Sequence, residues 1–275
     1  EKNDNTPLEE LSLIPFPIKE LFEEKLSNFQ LVIFDNFEGK KVLTPLYFQN
    51  LINFVDKGGA ILEITGPSYN SKSSLFKTEI GRILPGIPSG KLIQKEFKPQ
   101  LTDLGTKHPI TESLFIKNKD FGTWFQMNDI LEIDDDSQVL LSGVNNKPLL
   151  AVKKVNDGRI AQIYSHNIWL WSKRENNQGG PYNLLIRNLA HWLMKEPTLE
   201  ENKLELSFVN NSILIEKSFL RKPDPEKLKI TIIDPNGIKF EKTLNKSKEN
   251  RYTAIINNKN DGFYLVYDGE IEKGI

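Results

Sequence analysis

The sequence predicts an α/β protein: a three-layer sandwich around a mostly parallel sheet, followed by a small all-β sandwich. Three observations predict it. Leu31 to Phe34, a helix from Thr44 and Pro45 up to Gly58-Gly59, and Ala60 to Ile64 alternate as strand, helix and strand. That order implies parallel pairing through a right-handed crossover. An amphipathic stretch, Asn183 to Met194, then closes the first part of the chain. After Pro197 the helical period disappears, and residues 203–275 hold only short strand-like runs.

Each element has a local cause. Thr44 suits a helix N-cap and Pro45 its first turn. Phe48, Leu51, Ile52 and Val55 fall at the i, i+3, i+4, i+7 spacing of one buried face. Gly58-Gly59 ends that helix where a left-handed residue is wanted. Ala60 to Ile64 is an apolar strand that Gly66-Pro67 breaks. Residues 13–29 read as a short helix feeding the first strand, and residues 1–12 as a polar lead-in without a signal peptide's apolar core. From Pro67 to about Thr111 the chain is rich in Gly, Pro and Ser and reads as excursions over the sheet edge, with a helix over Leu75–Leu84. Val139–Ser142, Leu149–Val152 and Arg159–Tyr164 read as strands, with turns at Asn145-Asn146 and Asn156-Asp157-Gly158. Pro181 opens the Asn183–Met194 helix, whose Leu185, Leu189, Trp192 and Leu193 share a face, and Pro197 stops it.

A linker at Glu200-Glu201-Asn202 divides the chain into domains at 1–200 and 201–275. The second reads as six strands: 204–209, 212–219, 228–233, 238–244, 252–256 and 262–267, with a hairpin turn at Asp234-Pro235-Asn236-Gly237. Six short strands in this length predict an Ig-like or fibronectin-like sandwich.

Composition narrows the function. There are 36 basic and 37 acidic residues, a net charge of −1, which argues against a nucleic-acid-binding face. No stretch approaches the roughly 18 apolar residues of a membrane span. The chain has no Cys, which excludes disulfides, thiolate metal sites and thiol catalysis. No HExxH or HxH pairing occurs, and no cofactor or metal is expected. Asp134-Asp135-Asp136 lacks the glycine and terminal glutamate of a calcium loop. Gly86 to Lys91 is one residue short of a phosphate loop, and Leu92 stands where the hydroxyl is needed.

The run GGAILEITGP (58–67) resembles the elbow strand of the class I glutamine amidotransferase-like fold, a flavodoxin-like sandwich. The similarity is to the glutamine amidotransferase-like domain of bacterial membrane proteins, and more distantly to trehalose-utilisation-type domains. Residues 15–37, 97–111, 158–172 and 179–197 fit the same resemblance, so it covers most of residues 13–200. The family's elbow reads Gly-x-Cys-x-Gly; here those positions are Glu63, Ile64, Thr65, Gly66 and Pro67. The family's catalytic His matches His166, but Ile168 stands where its Glu would follow. A thiolate performs glutaminase chemistry because it is nucleophilic near neutral pH, and an unactivated threonine hydroxyl is not. The resemblance therefore implies the fold without the activity.

The candidate site lies past the carboxyl ends of the strands, where open α/β sheets bind ligands. Its vestigial catalytic candidates are Thr65, Ser68 and His166, and its candidate ligand-binding residues are Asn36, Tyr69, Asn167, Trp169 and Trp171. Ser68 lacks the Gly-x-Ser-x-Gly setting of an esterase elbow, and His166 without its acid reads as a structural hydrogen-bonding residue. Trp169 and Trp171, as alternate residues of an extended segment, could line one pocket or pack a loop onto the last helix. No Arg or Lys is among these residues, which suits a neutral polar ligand or a peptide better than a phosphate.

The expected function is a catalytically inactive binding or interaction module. The resemblance implies a soluble part of a larger bacterial envelope protein, touching the membrane only through segments absent from this chain. A cytoplasmic location is the alternative. The alternative activity is a hydrolase that pairs His166 with the hydroxyl of Thr65 or Ser68.

Overall fold

The structure is a computed structural model that describes residues 17–38, 43–117, 121–173, 180–220, 227–248, 250–257 and 261–275. The polar lead-in and the first part of the expected helix over 13–29 lie outside the described residues. The chain divides into two compact units, Glu1–Glu196 and Pro197–Ile275.

The first unit is built on a six-stranded sheet in the order β1-β2-β8-β7-β6-β4. Its strands are β1 (Leu31–Asp35), β2 (Ala60–Ile64), β4 (Gln100–Leu101), β6 (Gln138–Ser142), β7 (Pro148–Val155) and β8 (Gly158–Ile163). β1, β2 and β8 run parallel. The pairs β8–β7, β7–β6 and β6–β4 are antiparallel. The sheet is therefore mixed, and the expected flavodoxin-like sandwich with a mostly parallel sheet is not what the chain forms. The cause is local: β7 and β8 are joined by Asn156-Asp157, and so short a turn can only reverse the chain. Asn156 takes the left-handed conformation such a reversal needs, at φ 48°.

Helix α1 (Pro45–Asp56) buries Phe48, Leu51, Ile52, Phe54 and Val55. They pack with Phe34, Ile61 and Ile160 from the sheet in one apolar cluster. Each such side chain contributes roughly 1.5–3 kcal/mol by leaving water. On the opposite sheet face lies α3 (Tyr182–Leu193), whose Leu185, Leu189, Trp192 and Leu193 are buried; a shorter helix, α2, spans Glu112–Lys117. Arg159 ties α3 to β8 by donating to the Trp192 carbonyl at 2.6 Å.

Two parts of this unit differ from expectation. Leu75–Leu84 is not one α-helix but two short 3₁₀ segments, Leu75–Lys77 and Glu79–Ile83. A long two-stranded ribbon, β3 (Gly86–Phe97) with β5 (Trp124–Ile133), rises from what reads as loop.

The second unit is a single seven-stranded antiparallel sheet in the order β15-β14-β11-β12-β13-β10-β9. The strands are β9 (Lys203–Val209), β10 (Ser212–Ser218), β11 (Lys227–Ile233), β12 (Lys239–Lys248), β13 (Arg251–Asn257), β14 (Leu265–Tyr267) and β15 (Glu272–Gly274). β15 comes back against β9, so the sheet curls almost into a barrel. The expected Ig-like sandwich is thus corrected as well: one sheet wraps around the core instead of two facing each other. The core is Ile213, Ile215, Ile230, Ile232, Tyr252 and Val266 with their neighbours. Inside it, Lys217 forms an ion pair with Asp268, both side chains being at most 2% exposed.

Candidate functional site

The ends of β1, β2 and β8 deliver their residues to one edge of the first sheet. Asn36 follows β1 with φ 46°, and its N–H donates to the Ile64 carbonyl at 2.8 Å. Asn tolerates this left-handed backbone better than most residues because its short amide bonds locally. Its Oδ1 accepts from Ser68 Oγ at 3.1 Å. Gly66 makes the approach possible: a Cβ there would sit 1.7 Å from Asn36 Oδ1. The sharp turn after β2 thus requires glycine for contact, without any need for positive φ.

Thr65 is buried, and its Oγ1 accepts from Asn128 Nδ2 at 2.8 Å. Asn128, on β5, is the hub of the edge. Its Nδ2 also donates to the Gly66 carbonyl at 2.9 Å, and its Oδ1 accepts from Asn70 Nδ2 at 2.6 Å. Its backbone N–H donates to the Tyr164 carbonyl at 2.7 Å. The ribbon that sequence reasoning missed therefore supplies the residue that organises the turn.

Tyr69 is buried and donates to the Gly86 carbonyl at 2.6 Å. Its ring lies 6.4 Å from that of Tyr164. It is a wall of the core and not an open ligand contact.

Below it lies a polar network inside the sheet. Glu63 and Gln162 are cross-strand partners on β2 and β8. Gln162 Nε2 donates to Glu63 Oε2 at 2.6 Å and to Tyr69 Oη at 3.0 Å. Gln162 Oε1 accepts from Gly86 N at 2.8 Å and from Tyr164 Oη at 3.1 Å. Burial pushes the Glu63 carboxyl up to about 7, against the smaller opposing effect of the Gln162 bond. Burial also raises Tyr69 and Tyr164 well above the usual phenol range. A signal for this network was present in the sequence. A Glu inside the apolar run Ala60–Ile64 must find a buried partner.

His166 is half-buried at the start of a 3₁₀ helix, His166–Ser172. Its Nε2 lies 3.4 Å from Asn167 Nδ2, and its buried Nδ1 has no hydrogen-bond partner. Among the described residues, neither Thr65 Oγ1 nor Ser68 Oγ bonds to a ring nitrogen of His166. Asn167 is committed to structure, accepting from Phe125 N at 3.1 Å.

The tryptophans separate. The segment is helical and not extended, so residues two apart do not share a side. Trp171 is fully buried, donates Nε1–H to the Gly122 carbonyl at 2.9 Å and packs against Trp124 with ring centroids 4.9 Å apart and planes tilted by 55°. Trp169 is 45% exposed, with Lys173 Nζ 5.2 Å from its ring. Asn36 is thus paired with Ser68, and Asn128 with Asn70 and Thr65; Trp169 faces solvent, and Tyr69 and Trp171 belong to the interior. Among the described residues, no group of three or more His, Asp or Glu could hold a metal ion.

No family model matches the chain, and no curated protein matches it. Among solved structures it is similar in fold to the cytoplasmic protein STM3548 from Salmonella typhimurium. That likeness has 20% identity, covers 66% of this chain and 76% of that one, and has a TM-score of 0.52. The cytoplasmic protein STM1381 from Salmonella typhimurium LT2 matches at 18% identity over 62% of this chain and 74% of that one, TM-score 0.49. A cold-adapted beta-galactosidase from Rahnella sp. R3 matches at 13% identity over 84% of this chain and 33% of that one, TM-score 0.41. At such identities the first of these likenesses speaks for the fold alone, and the weaker two carry no argument. No helix among the described residues is long and apolar enough to cross a membrane.

Proposed function

We propose that the first unit is a binding or interaction module without hydrolytic chemistry at the β1–β2–β8 edge. One observation carries this reading. The two candidate hydroxyls after β2 are committed to amides, Thr65 to Asn128 and Ser68 to Asn36, and neither engages His166; Ser165 Oγ, after β8, donates to the Gln126 carbonyl. A hydroxyl nucleophile needs a base within hydrogen-bond reach, and here that contact is missing. The hydrolase alternative accordingly lacks its activated group. What the edge offers is amides, a hydroxyl, an imidazole and one exposed indole, a set suited to a neutral polar ligand or a peptide.

The test has two arms. Ammonia release from glutamine and hydrolysis of p-nitrophenyl acetate are expected to stay at the buffer blank. Turnover that disappears in His166→Ala would overturn the reading. In the second arm, neutral oligosaccharides and short uncharged peptides are titrated by amide NMR. Shifts are expected to cluster at Asn36, Ser68, His166 and Trp169. Placement in a larger bacterial envelope protein rests on the sequence resemblance alone; fractionation of the source cells, with the protein in the membrane or the cytosolic fraction, decides it.

A further inference from the structure

At the other end of the parallel strands lies a cavity of about 580 Å³, within the usual size of small-molecule sites. It is bounded by the segment before β1, the C-terminal half of α1, the Gly58-Gly59 turn and the residues just after α3. Its apolar wall includes Phe22, Leu26, Phe29, Phe54 and Met194. Phe29 is 44% and Met194 39% exposed, and lining this cavity gives both a physical reason to face water.

The charges around it are lopsided. Lys57 and Lys195 line it against the carboxylate of Glu23, and Asp157 stands just outside, its Cβ 3.9 Å from where a Cβ on Gly58 would sit. Neither lysine forms an ion pair with a described residue. Lys195 is held there by backbone geometry. It occupies the left-handed position after α3, at φ 64°, where glycine is usual. A Cβ on Gly58 would come within 2.8 Å of Lys195 Nζ, so the ammonium lies over the C-terminal turn of α1. That turn is the negative end of a helix dipole, and the ammonium offsets it. Asn53 adds a donor: its Oδ1 accepts from Gln49, which leaves its amide N–H groups for a ligand.

From an apolar wall with two ammonium groups and amide donors, we propose that this cavity binds an amphipathic monoanion. Such a ligand has an aliphatic or aromatic body and one carboxylate. The body lies on Phe29, Phe54 and Met194, and the carboxylate meets Lys57 and Lys195. This site is separate from the β1–β2–β8 edge and does not depend on its function.

The test titrates the full chain with decanoate, using decyltrimethylammonium as the same chain with the opposite charge. Calorimetry is expected to show saturable decanoate binding, with amide shifts at Phe29, Gly58, Gly59 and Lys195, and at least tenfold weaker binding of the cation. The double variant Lys57→Gln/Lys195→Asn keeps a residue that tolerates the left-handed backbone. It is expected to weaken decanoate at least fivefold and to abolish the discrimination. Phe29→Ser, at an exposed position, is expected to weaken both probes. The proposal falls if decanoate does not saturate below its micelle concentration, if the cation binds equally well, or if the double variant binds decanoate unchanged.

Discussion

Glu63 makes the stability of the first unit depend on pH in a direction opposite to most carboxylates. Its carboxyl is pushed up to about 7 by burial, against an ordinary value of 4.5. The folded state therefore favours the protonated acid, while the unfolded chain ionises near 4.5. Stability is fully present below 4.5, is lost as pH rises from 4.5 to 7, and stays lost above 7. The gap of about 2.5 pH units, at about 1.36 kcal/mol each, amounts to roughly 3 kcal/mol. Glu63→Gln keeps the shape and an acceptor for Gln162 Nε2 but removes the titration. The replacement amide brings donors that need partners, which shifts both ends of the curve together and leaves its slope as the clean signal. All four tryptophans, Trp124, Trp169, Trp171 and Trp192, lie in the first unit, so their fluorescence follows its unfolding alone. Urea titrations at pH 5, 6, 7 and 8 are expected to show the variant gaining about 2.5 kcal/mol relative to the parent across that range. A relative change under about 1 kcal/mol, or one of opposite sign, would refute the argument.

Two further outcomes follow from burial. Burial alone would raise the Asp268 carboxyl, but hydrogen bonds from Lys217 and from the N–H groups of Ile271 and Glu270 hold it below the ordinary range. Asp268→Asn strands a buried ammonium and is expected to cost the second unit about 3–5 kcal/mol at pH 7. In the parent, the Asp268 contribution is present above the unfolded Asp value and is lost as pH falls through the lower folded one; circular dichroism of the second unit along an acid titration checks both. Trp171→Ala is expected to cost about 3–5 kcal/mol in urea unfolding, whereas Trp169→Ala, at a half-exposed position, is expected to cost under about 1 kcal/mol. Equal costs would mean that the two rings share one environment.

The parts of the fold legible in the sequence were those governed by local period. The buried face of α1 carries Phe48, Leu51, Ile52 and Val55 at helical spacing. β2 reads as an apolar run because a parallel strand covered on both faces has no polar side, whereas β1, at the sheet edge, leaves Ile33 exposed. The direction of the remaining strands was also within reach, since a two-residue connection at Asn156-Asp157 cannot return a parallel strand. A sheet read as mostly parallel does not carry through the reversals that the turns at Asn145-Asn146 and Asn156-Asp157-Gly158 impose. The β3–β5 ribbon was hidden for a different reason. Pro88, Gly90 and the charges of Lys91, Lys95 and Glu96 make β3 look like loop, and its partner is far away in sequence. With the ribbon hidden, Asn128 was hidden too, although it is the centre of the candidate site. Asn36, Ser68 and His166 were reachable because strand ends converge in this topology, whereas the split of Trp169 from Trp171 turned on a single 3₁₀ segment.

The curl of the second unit has a consequence for how this protein survives at high concentration. A flat seven-stranded sheet would expose two rows of unpaired N–H and C=O groups, each a template for another chain. Here β9 and β15, the two terminal strands, lie against each other, and β15 is only three residues long. β15 pairs with β14 and not with β9, so it hinders an incoming strand by standing against part of the β9 edge, without filling that edge's N–H and C=O groups.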